Sequence, residues 1–172
     1  MDVSTHELEL QHSQGIMGVS TQYLEIPLLV PPSTMFKGLI LDGRTLIPHL
    51  LPLVINKIEP VKDGTMVIFG EGCHYESVTL KTNATDEGQF TYTCTIFEGD
   101  PALMDKFESI TYHIKFVEFP SCPHGGSIYK CWTTFIPKGD YLVTKMDIQN
   151  DIAYQTLIVK AIEAYHIAHS KH

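Results

Sequence analysis

Phenols and thiols that share one face of strand-like runs are the groups in this sequence best placed to meet a small molecule. In residues 89–98, Phe90, Tyr92, Cys94 and Ile96 alternate with Thr91, Thr93 and Thr95. Residues 109–119 repeat the split, with Ile110, Tyr112, Ile114 and Phe116 opposed by Thr111, His113 and Lys115. In residues 127–136, Tyr129, Cys131, Thr133 and Phe135 fall together, with Trp132 and Lys130 on the opposite parity. Alternation of this kind predicts a half-buried antiparallel sheet. A buried phenol needs a partner for its hydroxyl, so several on one concave face suggest water or a polar ligand atom inside. Periodicity alone leaves two readings open. One is a packed core whose tyrosine hydroxyls reach the rim, and the other is a cavity that encloses a small molecule.

Other groupings carry less chemistry. Glu163, His166 and His169 recur every three residues near the chain's end. A Glu-x-x-His pattern binds metal when other helices complete the shell. No second helix is expected beside this one, so a solvated surface is the favoured reading and no metal or cofactor is expected. Cys73, Cys94, Cys122 and Cys131 form no Cys-x-x-Cys pair and read as reduced thiols, three of them in strand-like runs.

Composition narrows the class. The chain has 172 residues, 44% of them hydrophobic and 19% charged, enough for one domain with a real core. Acidic residues outnumber basic ones 20 to 12 with no basic run, which disfavours nucleic acid and anionic membrane surfaces as partners. The first 14 residues are polar and acidic, unlike a signal peptide. The most apolar stretch, residues 46–55, is interrupted by Pro48, His49 and Pro52 and is too short to span a bilayer. A cytoplasmic location follows as the expectation.

The elements that must position the phenols divide cleanly. Residues 19–26 read as a strand ending at Pro27. Ser33 is a candidate N-cap for a short helix to Leu41, which Asp42-Gly43 stops, and a second short helix covers 45–51. Strands are expected over 54–59, 65–70, 75–81, 89–98, 109–119 and 127–136, with turn chemistry between them, including a break at 83–88. Connections this short make neighbours antiparallel. A final helix over 147–170 carries Ile148, Ile152, Leu157, Ile158, Val159, Ala161, Ile162 and Tyr165, a wide apolar face.

This order resembles the plant pathogenesis-related class 10 proteins, the Bet v I-type family named for the major birch-pollen allergen, over roughly residues 18 to 172. The resemblance rests on Met35-Phe36-Lys37-Gly38-Leu39-Ile40-Leu41-Asp42-Gly43 followed by Leu46-Ile47-Pro48. It extends to Phe90-Thr91-Tyr92 running into Ile96-Phe97-Glu98-Gly99-Asp100, and to Gly125-Gly126-Ser127-Ile128 leading to Lys138-Gly139-Asp140. The ending Lys160-Ala161-Ile162-Glu163-Ala164-Tyr165 then Ala168-His169-Ser170 matches most closely. It implies an α+β, START-like helix-grip fold: a seven-stranded curved antiparallel sheet around a long C-terminal helix, two short helices after strand 1, and a large internal hydrophobic cavity. The implied partner is a small hydrophobic plant metabolite of hormone, sterol, flavonoid or alkaloid class, bound by a monomer or weak dimer. The candidate ligand-binding residues are Phe69, Tyr75, Phe90, Tyr92, Cys94, Ile110, Tyr112, Ile114, Thr133, Phe135, Tyr154 and Ile158.

The family also contains cavity enzymes of isomerase, cyclase or condensing type, which makes Tyr92, Tyr112 and Glu98 weak catalytic candidates. Lys115 and Lys130 fall on the outward parity, so the interior lysine of the condensing relatives has no counterpart. A ribonuclease activity attributed to the family would use Glu98, Glu163 and Tyr165. The chain departs from the family at its glycine-rich loop, shortened here to Glu59-Pro60-Val61-Lys62-Asp63-Gly64-Thr65, and a phosphate cradle there is weakened accordingly. It departs again in front. Residues 1–17 read as a mobile extension, or as a spare strand, because Val3-Ser4-Thr5 to Leu10 resembles Val19-Ser20-Thr21 to Ile26.

Overall fold

The computed structural model describes residues 15–121 and 125–170. Strand β1 (Ser20–Leu28) leads into helix α1 (Pro32–Phe36), a π-helical turn (Lys37–Leu41) and helix α2 (Gly43–Leu50). Strands β2 (Ile55–Val61), β3 (Gly64–Phe69), β4 (Ser77–Asp86) and β5 (Thr91–Gly99) follow. After the single turn of α3 (Pro101–Met104) come β6 (Phe107–Phe119), β7 (Gly126–Pro137) and the long helix α4 (Lys145–His169). The sheet has the order β1-β7-β6-β5-β4-β3-β2, and each ladder is antiparallel. This is the α+β helix-grip architecture, with α4 held across the inner face of the seven strands.

Prolines mark both free edges. Pro27 sits inside β1 and Pro60 inside β2, the two outermost strands, where the missing N–H interrupts no inner ladder. The first strand therefore runs through Pro27 and does not stop at it. On the outer face, threonines bond across strands: Thr21 with Thr134 at 2.9 Å, and Thr95 with Thr111 at 2.9 Å. Tyr23, Trp132 and His113 stack beside them, which places Trp132 outside the interior. The buried side chains under the sheet include Phe107, Phe116, Tyr129 and Phe135 from β6 and β7, Met35 and Phe36 from α1, and Val159 and Ile162 from α4.

Several local expectations are corrected. Ser33 is not an N-cap: Pro31 occupies that position in extended conformation and Pro32 starts the helix, its fixed φ suited to the first turn. The break at 83–88 comes later, because β4 continues to Asp86. There the Asp86 carboxylate accepts from the amides of Gly88 at 3.0 Å and Gln89 at 3.1 Å, making a side-chain-supported turn. Helix α4 begins two residues before Asp147. Thr144 Oγ1 accepts from the Asp147 amide at 3.0 Å while the Asp147 carboxylate accepts from the Thr144 amide at 2.9 Å, a reciprocal cap. The far end of α4 does have helical neighbours, since it packs on the π-helical turn. A methyl group at Gly38 would lie 2.5 Å from His166 and 2.9 Å from Ile162.

The repeat of the first strand proposed in residues 3–10 lies outside the described residues, as does Cys122. Residues 15–17, assigned to the extension, are tied down at Ile16, which exchanges backbone hydrogen bonds of 2.7 and 2.9 Å with Val143.

Candidate functional site: a cavity between sheet and helix

Sheet and helix part company over β2 to β7, and a cavity of about 580 Å³ fills the gap. Its floor is the inner face of the sheet, with Ile55, Val67, Phe69, Leu80, Ile96 and Ile114 among the residues on it. Leu39, Ile40 and Leu41 of the π-helical turn and Ile47 of α2 close one end. The wider π turn, with Asp42 N–H bonded to Lys37 carbonyl, lets three successive apolar residues reach this wall. The fourth side is α4, through Asp147, Asn150, Asp151, Tyr154, Gln155, Ile158 and Val159.

Ten of the twelve candidates come together on this wall: Phe69, Tyr75, Tyr92, Cys94, Ile110, Tyr112, Ile114, Phe135, Tyr154 and Ile158. Phe90 does not. It lies in the β4–β5 turn with φ of +55°, and its ring packs against Phe36 at 5.9 Å. Thr133 faces inward but is covered. It is 2% exposed, and the side-chain amide of Gln155 donates to its hydroxyl at 3.2 Å. Glu98 is exposed and off the wall. The β4–β5 register slips between the Leu80–Ile96 and Thr79–Glu98 pairs, so an extra residue, Phe97, resets the alternation.

The expectation that the phenols call for internal water or ligand is also corrected for Tyr92, Tyr112, Tyr129 and Tyr154, each of which finds a protein partner. Tyr112 donates to Asp151 at 2.6 Å and Tyr129 to Gln155 at 2.6 Å. Tyr154 pairs with Cys73 at 2.7 Å, and Tyr92 with Thr82 at 2.9 Å. Burial pushes the Tyr92 hydroxyl up to about 12, with the neighbouring Cys94 adding to the effect. Burial likewise raises the Cys94 thiol to about 12 and the Cys131 thiol to about 11. Tyr112 rises well above the ordinary phenol range through burial first and the Asp151 carboxylate second. These groups are therefore neutral hydrogen-bonding surfaces at physiological pH and poor bases or nucleophiles.

Asp151, Gln155 and Arg44 line the cavity and were not among the candidates. The first two were legible: Asp147, Asp151, Gln155, Ile158 and Ile162 follow spacings of three and four, so polar residues share the stripe that faces the sheet. Leu157, counted in the apolar face, instead points to solvent at 43% exposure.

Burial raises the Asp151 carboxyl above its ordinary value, while bonds from Tyr112, Gln155 and Thr133 pull it partly back. The native state thus holds this proton more tightly than the unfolded chain does. Its favourable contribution is complete below the unfolded value of about 4 and is lost as pH rises through the raised native value. Asp151→Asn is expected to flatten the stability profile across that window and to gain on the parent above it. Urea unfolding of both proteins from pH 3.5 to 7.5 checks this, and a pH-independent difference would remove the argument.

No family model matches the chain. It is 35% identical over 160 residues to the major pollen allergen Cor a 1, isoforms 5, 6, 11 and 16, of Corylus avellana, covering 90% of this chain and 98% of that protein. It is 35% identical over 158 residues to the major strawberry allergen Fra a 1-2 of Fragaria ananassa, covering 88% and 96%. Among solved structures, Ara h 8.0201 matches with a TM-score of 0.74 and 32% identity over 88% of this chain and 99% of that one. Norcoclaurine synthase from Thalictrum flavum matches with a TM-score of 0.69 over 91% and 89%, but at 15% identity that likeness extends to the fold alone.

Proposed function

Since the chain belongs to the Bet v I-type family of plant allergens, we propose that its cavity binds a small hydrophobic plant metabolite and releases it unchanged. The observation that carries this reading is the cavity of about 580 Å³ between sheet and helix with a mainly apolar wall. Spaces of roughly 300–1,000 Å³ suit drug-sized ligands. Binding follows from burial of the ligand's apolar surface at about 25 cal/mol per Å², offset by the costs of association, which is compatible with micromolar affinity. The protein acts in this reading as a monomer or weak dimer in the cytoplasm, without metal or cofactor.

The second reading is a cavity enzyme, favoured by the likeness to norcoclaurine synthase, a structure of which is described in complex with dopamine and hydroxybenzaldehyde. The wall supports it poorly. Lys115 and Lys130 pair side by side away from the cavity, and Arg44 is the one basic residue among the described residues that line it. The phenols and thiols there are held neutral. What remains is positioning and polarisation by neutral donors, enough for a mild isomerisation or cyclisation. Ribonuclease chemistry has less support still. Glu98 is exposed, Glu163 is engaged by the backbone of Leu29, and β2 and β3 meet in a two-residue turn, Lys62-Asp63, with no string of amides to cradle phosphate.

Incubation with a plant metabolite extract, followed by mass spectrometry of bound and total fractions, separates these readings. A compound retained unchanged, and weakened by Tyr92→Ala or Tyr112→Ala, is the expected result. A new product that vanishes with boiled protein would replace binding by catalysis. An outcome with neither a retained compound nor a new product would overturn both readings.

A further inference from the structure

One charge on the cavity wall has no counter-charge. Asp151, in the second turn of α4, presents Oδ1 to the Tyr112 hydroxyl at 2.6 Å and Oδ2 to Gln155 Nε2 at 2.8 Å. Tyr112 and the Gln155 amide donate, as an ionised carboxylate, which only accepts, requires. Gln155 Oε1 then faces β7 and accepts from Tyr129. The group is thus clamped between β6 and α4 in one orientation. With the Thr133 hydroxyl as a third partner, the carboxylate still has acceptor capacity to spare, and the residual surface of this half-buried residue lies on the cavity side.

Among the described residues, no Lys, Arg or His nitrogen lies within 4.0 Å of it. The ion pairs are Lys37–Asp42, Lys57–Glu59, Lys106–Asp147 and Lys160–Glu163. The other titratable groups around Asp151 add no positive charge: Tyr112 from β6, Cys94 from β5, and Tyr129 and Cys131 from β7, all neutral. Asp147, one turn earlier on α4, lines the same wall and is acidic too, although Lys106 stands 3.9 Å from it. Arg44, the one basic residue lining the cavity among the described residues, forms no ion pair with Asp151. A carboxylate without a partner in a partly desolvated chamber attracts a cation more strongly than a water-exposed charge would, and it repels an anion.

We propose that Asp151 is a cation-binding subsite that selects ligands carrying a protonated amine, with the amine seated on Asp151 and the apolar body against Ile110, Ile114 and Ile158. The ligand class is an organic amine with an aromatic or fused-ring body. Neutral ligands of the same shape leave the carboxylate unpaired, and carboxylic acids place like charges together. This inference rests on the cavity-binding reading and narrows it.

The test uses Nile red, a neutral apolar probe, displaced by three isosteric competitors: 2-naphthylethylamine, 2-naphthylethanol and 2-naphthylacetate. The expected order is amine, alcohol, acid, with the amine at least tenfold tighter than the alcohol. Asp151→Asn should bring amine and alcohol within about twofold while Nile red still binds and circular dichroism is unchanged. Tyr112→Phe, which keeps the carboxylate, should preserve the amine preference. Lowering the pH toward the point where Asp151 is protonated should erode that preference in the parent protein. Equal affinities for amine and alcohol in the parent, or a preference that survives Asp151→Asn, overturn the subsite while leaving the cavity reading intact. Failure of Nile red and all three competitors to bind overturns the cavity reading, and the subsite with it. If Asp151→Asn does not fold, the amine-to-alcohol ratio in the parent and in Tyr112→Phe still decides.

Discussion

Truncating Phe107 to alanine is expected to lower stability by about 3–5 kcal/mol, the range for removing a fully buried aromatic ring. The side chain is 1% exposed at the start of β6, with its ring centre 5.5 Å from both Phe135 and Tyr141. It therefore links β6 to β7 and to the segment that leads into α4. For a chain of this size the melting temperature should fall on the order of 10 °C. The ring also forms part of the cavity wall, so the vacated space joins the existing cavity and neighbouring side chains have little drive to close it. Phe107→Leu, which keeps most of the volume, should cost less than half as much. Urea unfolding of the three proteins checks the order. A loss below about 1 kcal/mol for the alanine variant would mean that the ring contributes little packing and mainly faces the cavity.

Glu163→Ala is expected to cost about 2–4 kcal/mol, whereas Glu163→Gln should cost less than about 1 kcal/mol. Glu163 is 6% exposed, and its Oε2 accepts from the backbone amide of Leu29 at 2.7 Å. That bond fastens α4 to the chain where β1 ends. The second partner, Lys160, lies 2.7 Å away but is half exposed, so screening leaves that contact a small share. Alanine strands the Leu29 amide without an acceptor, while glutamine supplies a neutral oxygen in the same place. Equal losses for the two variants would assign the stabilisation to the charge and not to the acceptor. The carboxylate is thus structural, which accounts for a residue that the family resemblance offered to catalysis.

The cavity floor was legible because a strand's side chains alternate strictly, and β6 keeps that parity from Ser109 onward, past the shift at its start that also turns Phe107 inward. Parity failed where local chemistry broke the strand. Phe90, read as a cavity residue, packs on Phe36 from the Asp86 turn ahead of β5 and misses the cavity, and Glu98, a candidate through the family resemblance, is turned out by the bulge at Phe97. The helix was harder to read for a different reason. A search for an apolar face sets aside Asp151 and Gln155, although their spacing puts them on the stripe with Ile158 and Ile162. The partners of the phenols were out of reach altogether. Tyr112 and Asp151 lie 39 residues apart, and neither side chain marks the other in the sequence.

Five of the six ladders join strands that follow one another along the chain, and the sixth joins β1 to β7. The β1–β7 register sets Ser20 opposite Phe135, more than a hundred residues later. Closing a loop ten times longer than a short hairpin costs about 2 kcal/mol more in chain entropy. The consecutive strands β2 to β7 can condense from nearby encounters, whereas β1 has to wait for β7 to exist as a template. The π-helical turn and α2, which close one end of the cavity, belong to the stretch between β1 and β2 and are anchored on one side only until β1 docks. During folding the site therefore passes through an open trough, and the end of the cavity nearest α2 is the last to be sealed.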